Sequence, residues 1–190
     1  MVFLIYQIVI KESMKGPRFS DSDDFNEIHD SINISLLSNY YKFVEMVSEK
    51  LKNSNLIANF KVLDAEIKGE ISLCKKYYPD DIVNVHYFYE FPKQKLSGEI
   101  NLKFVIEIKS KIKSFGETLR QLQIYKDCIE YYNNREIKRK IGRYVELKNI
   151  NYVYLLTPDH RFDNAFLSQG FEVLDPSMFG NFKDKGLDNF

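Results

Sequence analysis

Apolar and polar positions along the chain sort into strand-like and helix-like stretches. Phe104, Val105 and Ile106 form an apolar, largely β-branched run that predicts a buried strand. Glu107 and Lys109 follow it, and because side chains alternate across a strand, both project to one face. A helix is expected almost at once. Ser114 and Glu117 have the spacing of a capping box, and Leu119, Leu122, Ile129 and Tyr132 then recur at roughly helical intervals. Gln121 and Tyr125, four residues apart, share one face of that helix.

Upstream, Leu36, Leu37, Tyr40, Phe43, Val44, Val47 and Leu51 predict an amphipathic helix over residues 35–52. Residues 2–10 predict a strand or short helix of the core. Residues 11–33 read as loop, with Gly16-Pro17 and an acidic cluster of Asp21, Asp23 and Asp24. That cluster lacks the glycine and the terminal glutamate of a calcium loop. Residues 56–73 predict strand with a break near Gly69, and residues 85–91 an aromatic strand preceded by Pro79-Asp80-Asp81. A turn at residues 92–95 sets Asp80 opposite Glu107, with Asp81 one step away. A turn at Ser97-Gly98 instead puts Phe88 opposite Glu107 and leaves Glu90 as the nearby acid. Residues 152–156, 161–169 and 171–174 predict strand, helix and strand, with Gly170 as C-cap, the pattern of a parallel crossover at a sheet edge. The residues from Pro176 onward are expected to fray.

At 190 residues with 44% apolar content, the chain is long enough for one domain with a proper core. Its 27 basic and 27 acidic side chains balance, so any nucleic-acid contact must come from a local patch. Two cysteines, Cys74 and Cys128, make neither a disulfide framework nor a metal cluster and are expected as buried thiols in a reducing compartment. The apolar start lacks a basic flank and no segment is long enough to span a bilayer, so a soluble, cytoplasmic protein without membrane contact is the expectation. His29, His86 and His160 share no ligand spacing, which argues against a zinc hydrolase. No phosphate-binding glycine loop and no nucleophile elbow is present.

The unit of strand, Glu107-x-Lys109, short turn, capped helix and Gln121-x-x-x-Tyr125 resembles the PD-(D/E)xK nuclease superfamily, in particular its RecB-like and Holliday-junction-resolvase-like branches. The resemblance spans roughly residues 35–175. It implies an α/β, restriction-endonuclease-like core with a central mixed β-sheet flanked by helices. Residues 1–34, an N-terminal strand and polar loop, and the tail 176–190 stand outside it. It further implies a nuclease that hydrolyses DNA with Mg²⁺ or Mn²⁺. In that scheme Glu107 and either Asp80 or Asp81 hold the metal, aided by the backbone carbonyl of Ile108 and by an acid from the preceding helix, Glu45. Pro79-Asp80 favours Asp80, whereas Asp81-Ile82-Val83 has the equally common Asp-apolar-apolar form. Lys109 orients or activates the attacking water, Gln121 positions water or phosphate, and Tyr125 packs, orients or touches nucleic acid. Lys111 and Lys113, with Arg135, Lys138, Arg139, Lys140 and Arg143, form a candidate phosphate-contacting set. A homodimer is a family-level expectation. The alternative is a catalytically inactive module of the same fold that binds nucleic acid or a protein partner. A second acid-x-Lys, Glu66-Ile67-Lys68, is followed by another strand-like run and not by a capped helix, so Glu107 and Lys109 are preferred.

Overall fold

The computed structural model describes residues 23–54, 59–69, 71–142, 147 and 150–180. Its centre is an antiparallel hairpin of β2 (Asp81–Phe91) and β3 (Leu96–Ile108). The turn is a 3-10 helix at Pro92–Gln94, closed by Lys95 in the left-handed region at φ 50°. This fixes the register that a turn at residues 92–95 predicts, with Asp81 opposite Ile106. Among the described residues, β1 (Asn59–Gly69), β4 (Val153–Leu156) and β5 (Glu172–Leu174) complete a mixed sheet in the order β1-β2-β3-β4-β5. β3 pairs antiparallel with β2 and parallel with β4, and β4 pairs parallel with β5.

Two helices cover the sheet. α1 (Asp23–Ser54) packs on one face, where Phe43 meets Phe104 and Tyr154 edge-on at 6.0 and 5.0 Å between ring centres. Val83, Val85 and Tyr87 of β2 share that face with Leu102, Phe104 and Ile106 of β3 and are fully buried with them. α2 (Phe115–Lys140) covers the other face through Thr118, Leu122, Tyr125, Ile129, Asn133 and Ile137. With helices on both sides, the last five residues of β3, Phe104 to Ile108, are buried without a break, whereas the strand alternates before them. β4 is short and its pairing with β3 begins at Val105, so among the described residues the backbone of Lys103 has no strand partner on that side. Asn133 supplies one: its Oδ1 accepts the Lys103 N–H at 2.9 Å and its Nδ2 donates to the Lys103 carbonyl at 2.8 Å. Tyr132, expected on the apolar face, is exposed beneath the Lys103 ammonium instead.

Several expectations need correction. α1 begins at Asp23 and crosses both the predicted loop and the boundary placed at residue 35. Ile28, Ile32 and Leu36 continue its apolar stripe toward the N-terminus, with Ile32 fully buried in the common core. The helix bends at Asn39, whose side chain donates to the Ser35 carbonyl at 3.2 Å. Pro176–Phe179 does not fray but forms a 3-10 turn capped by Asp175, and Pro176 and Phe179 are buried. Cys74 and Cys128 are not buried thiols: Cys74 is exposed, and the two are joined in a disulfide with Cα atoms 6.1 Å apart. The predicted 161–169 helix resolves into a 3-10 turn at His160–Phe162 and α3 (Asp163–Ser168), ending at Gly170 with φ 78°. The element expected over residues 2–10 lies outside the described residues. Among the described residues, no helix is long and apolar enough to cross a membrane.

Candidate functional site

The C-terminal end of β3 carries Glu107 into the space beneath the first turns of α2. Ser114 starts that helix by accepting the Glu117 N–H at 3.4 Å. Two turns on, Gln121 Nε2 donates to Glu107 Oε1 at 2.7 Å and to the Tyr125 hydroxyl at 2.8 Å. The Tyr125 hydroxyl in turn donates to the Tyr78 carbonyl at 3.5 Å. Lys109, on the same strand face, places its ammonium on Glu107 Oε1.

Asp80 arrives from the connection that leads into β2. Because Asp81 pairs with Ile106, Asp80 lies level with Glu107, one residue beyond the last ladder pair. With the ladder ended, its Oδ2 takes the Ile108 N–H at 2.7 Å. Its Oδ1 meets His29 Nε2 of α1 at 3.2 Å. Asp81 points the other way, buried on the α1 face with Ile106, and does not join Glu107. The side-chain alternation of a strand separates the two aspartates.

The electrostatics of this group are unusual for surface carboxylates. Glu107 is only 2% exposed, and burial, reinforced by the Asp80 charge, pushes its carboxyl up to about 7, against the opposing pull of Lys109 and His29. Among the described residues, no hydrogen-bond donor reaches Glu107 Oε2, which is buried. Burial alone lowers the His29 pKa, but its hydrogen bond to Asp80 and the charges of Asp80 and Asp30 outweigh this, and the net shift is upward. Burial and the Glu107 charge raise the Tyr125 hydroxyl well above the ordinary phenol range. Two acids that repel each other, one with a buried oxygen lacking a donor, make a place where added positive charge is favoured.

No family model, curated protein or solved structure matches this chain. What the site can do therefore rests on its own atoms. Asp80, Glu107, Lys109, Gln121 and Tyr125 come together. Among the described residues, no three His, Cys, Asp or Glu side chains are already gathered in a cation-holding cluster. Glu45 is exposed on α1, several turns beyond His29, the residue through which that helix reaches Asp80. Tyr125 is buried, so it orients Gln121 and does not offer a surface to nucleic acid. Glu66 and Lys68 form an exposed ion pair at 2.8 Å on the edge strand, with Lys68 opposite Ile82, two residues along the chain from Asp80.

Lys111 and Lys113 sit on the turn between β3 and α2. That turn is held by a pair the sequence did not single out. Asp159 Oδ2 accepts the Ile112 N–H at 2.8 Å, and Arg161 donates to the Ile112 carbonyl at 3.0 Å and to Asp159 Oδ2 at 2.6 Å. The Arg161 hydrogen bond first, and the backbone N–H groups after it, hold the Asp159 carboxyl down at about 2. Arg135, Lys138, Arg139 and Lys140 are exposed on the last turns of α2, and Arg139 forks onto Glu136. The Lys140 carbonyl accepts the Tyr89 hydroxyl at 2.8 Å, near the hairpin turn, so this strip stands at the far end of the sheet from Glu107. At 1.5 Å per residue, Arg135 lies roughly 20 Å along the helix from Gln121. Arg143 lies outside the described residues.

Proposed function

We propose that this chain is a metal-dependent nuclease of the restriction-endonuclease-like type that hydrolyses DNA phosphodiester bonds. The observation that supports this most is Asp80 lying level with Glu107, one residue beyond the ladder and beside Lys109, with Glu107 Oε2 buried and reached by no donor among the described residues. Carboxylate oxygens of this kind suit a hard divalent cation, Mg²⁺ or Mn²⁺. When bound, such a cation supplies Lewis-acid stabilisation of the charge that develops on the phosphate.

The chain's own residues then divide the work. Asp80 and Glu107 would hold the cation, with the Ile108 carbonyl at the same strand end and the His29 imidazole of α1 as further donors. Lys109, 30% exposed, offers its ammonium to a phosphate oxygen or to the attacking water. Gln121 is held by Tyr125 on one side and Glu107 on the other, so its amide is set in place before substrate arrives. Lys111 and Lys113 reach the flanking phosphates. The strip Arg135, Lys138, Arg139 and Lys140 reaches phosphates further off, about six base pairs away at 3.4 Å each.

A second reading, a non-catalytic module that binds nucleic acid or a protein partner, draws on a separate observation. Lys109 and Gln121 both occupy Glu107 Oε1, and no ready-made three-ligand cluster stands among the described residues. One assay separates the two readings. Single-stranded, duplex and branched DNA are incubated with Mg²⁺, Mn²⁺ or EDTA, and the wild type is run beside Glu107→Ala, Lys109→Ala and Asp80→Asn. Metal-dependent cutting lost in all three variants supports the nuclease. Binding without cutting on every substrate supports the module, and cutting untouched by the variants removes the site from this place.

A further inference from the structure

The segment that delivers Asp80 is tied at its other end to α2. Residues 71–80 link β1 to β2, and within them Leu73 and Tyr77 close a turn, the Leu73 N–H donating to the Tyr77 carbonyl at 2.6 Å and the Tyr77 N–H to the Leu73 carbonyl at 3.0 Å. Inside this turn Cys74 and Lys75 hold φ angles of 52° and 62°, a left-handed conformation that β-carbon contacts disfavour. The turn is therefore held by its surroundings rather than by its own preference.

Those surroundings lie on one face of α2. Gln121, Tyr125 and Cys128 follow at helical spacing and point the same way. Gln121 bonds Glu107, Tyr125 bonds the Tyr78 carbonyl, and Cys128 is joined to Cys74. The disulfide closes the turn onto the same helix face that orients the candidate site, and Asp80 follows Tyr78 by two residues. Leu73 and Pro79 are the buried anchors of the segment, while Cys74 to Lys76 are exposed.

We infer that Cys74–Cys128 is a thiol-sensitive clamp, and that opening it loosens the segment bearing Asp80 and weakens the joint hold of Asp80 and Glu107 on a divalent cation. This rests on the metal-site reading given above. The exchange needs an external dithiol as reductant. One thiolate attacks the Sγ of Cys74, the more exposed of the two cysteines, breaking the protein S–S bond and forming a mixed disulfide, and Cys128 leaves as a thiolate that takes up a proton. The second thiol of the reductant loses its proton and attacks its own mixed-disulfide sulfur, releasing Cys74 as a thiol. The protein disulfide gains two electrons and the dithiol leaves as a disulfide.

The test uses the full chain prepared with oxidised glutathione, the same protein treated with dithiothreitol, and Cys74→Ser kept under oxidising conditions. Alkylation and mass measurement count free thiols, hydrogen exchange follows residues 71–80, and electron paramagnetic resonance of free Mn²⁺ measures binding. The oxidised protein is expected to show no free thiol. In the reduced protein and the variant, residues 71–80 exchange roughly tenfold faster while β3 keeps its protection. Mn²⁺ binds both of these forms at least about threefold more weakly. Two free thiols persisting after oxidation overturn the clamp, as does unchanged exchange over residues 71–80. Equal Mn²⁺ binding in all three forms removes the clamp alone, and binding in none removes the metal-site reading and this regulation with it.

Discussion

Replacing Glu107 with glutamine removes the charge from a buried side chain while keeping an oxygen for both of its donors, Gln121 and Lys109. The carboxyl titrates at an ordinary 4.5 when unfolded and at about 7 in the folded protein. Between these values the native state holds a proton that the unfolded state has released, so the native state loses stability as pH rises. The contribution is fully present below about pH 4.5 and is gone once pH passes through about 7. At about 1.4 kcal/mol per pH unit, the ionised carboxyl costs the fold at most about 3 kcal/mol at pH 8. Water and Lys109, which keeps partial contact with solvent, bring the expected figure to about 1–3 kcal/mol.

Urea unfolding in EDTA, followed by far-UV circular dichroism because the chain has no tryptophan, measures this directly. Wild type and Glu107→Gln are compared at pH 5 and pH 8. The two are expected to be nearly equal at pH 5, and the glutamine variant more stable by about 1–3 kcal/mol at pH 8. His29 is present in both proteins, so its own raised titration cancels from the difference to first order. A stability difference that does not change between pH 5 and pH 8 would falsify the claim that an ionised Glu107 is held at a cost. It would also remove the electrostatic reason for a cation to bind there.

Three further outcomes follow from the same geometry. Mn²⁺ at a hundred times its dissociation constant is expected to stabilise the wild type by about 2.7 kcal/mol at pH 8, as read from the unfolding midpoint. Asp80→Asn and Glu107→Gln should lose that shift and Asp81→Asn should keep it, since Asp81 faces α1. His29→Ala removes a contribution that is present below the ordinary histidine value of 6.5 and is lost as pH rises through the raised folded value, so its melting temperature should fall more at pH 6 than at pH 8. Asp159→Ala leaves the buried Ile112 N–H without its acceptor and should cost about 1–3 kcal/mol at pH 7. In the wild type the Asp159 contribution is present above pH 3.8 and is lost as pH falls through about 2, which acid titration of the fold measures.

The fold was most legible where local chemistry and burial agree. Of the two turns that the sequence offers, the one at residues 92–95 forms, and the strand faces it sets cannot be exchanged without exposing Phe104 or Tyr87. It was least legible where composition hides a stripe. Asp23 to Asp30 reads as polar loop, yet Ile28 and Ile32 suffice to carry α1 through it once the sheet lies beneath. The tail turn depends on the single aromatic Phe179, which no periodicity announces. Cys74 and Cys128 are 54 residues apart in sequence, and only the tertiary path of α2 past the β1–β2 connection brings them together.

The candidate site divides along the same line. Glu107, Lys109, Gln121 and Tyr125 belong to one strand, turn and helix, so their spacing already fixes their relation. Asp80 needed the register as well, and its separation from Asp81 is a parity question that a one-residue slip reverses. His29 and the Asp159–Arg161 pair were out of reach because their partners come from other elements. This division has a physical origin. The Glu107 carboxylate, buried on a central strand, is balanced by Lys109 just beyond that strand, by Gln121 of α2 and by the His29 charge of α1, while the Asp80 charge opposes it. The buried charge and the two groups bonded to it are therefore visible in one short stretch of sequence, whereas Asp80 and His29, which shift its titration in opposite directions, join it only once the layers are assembled.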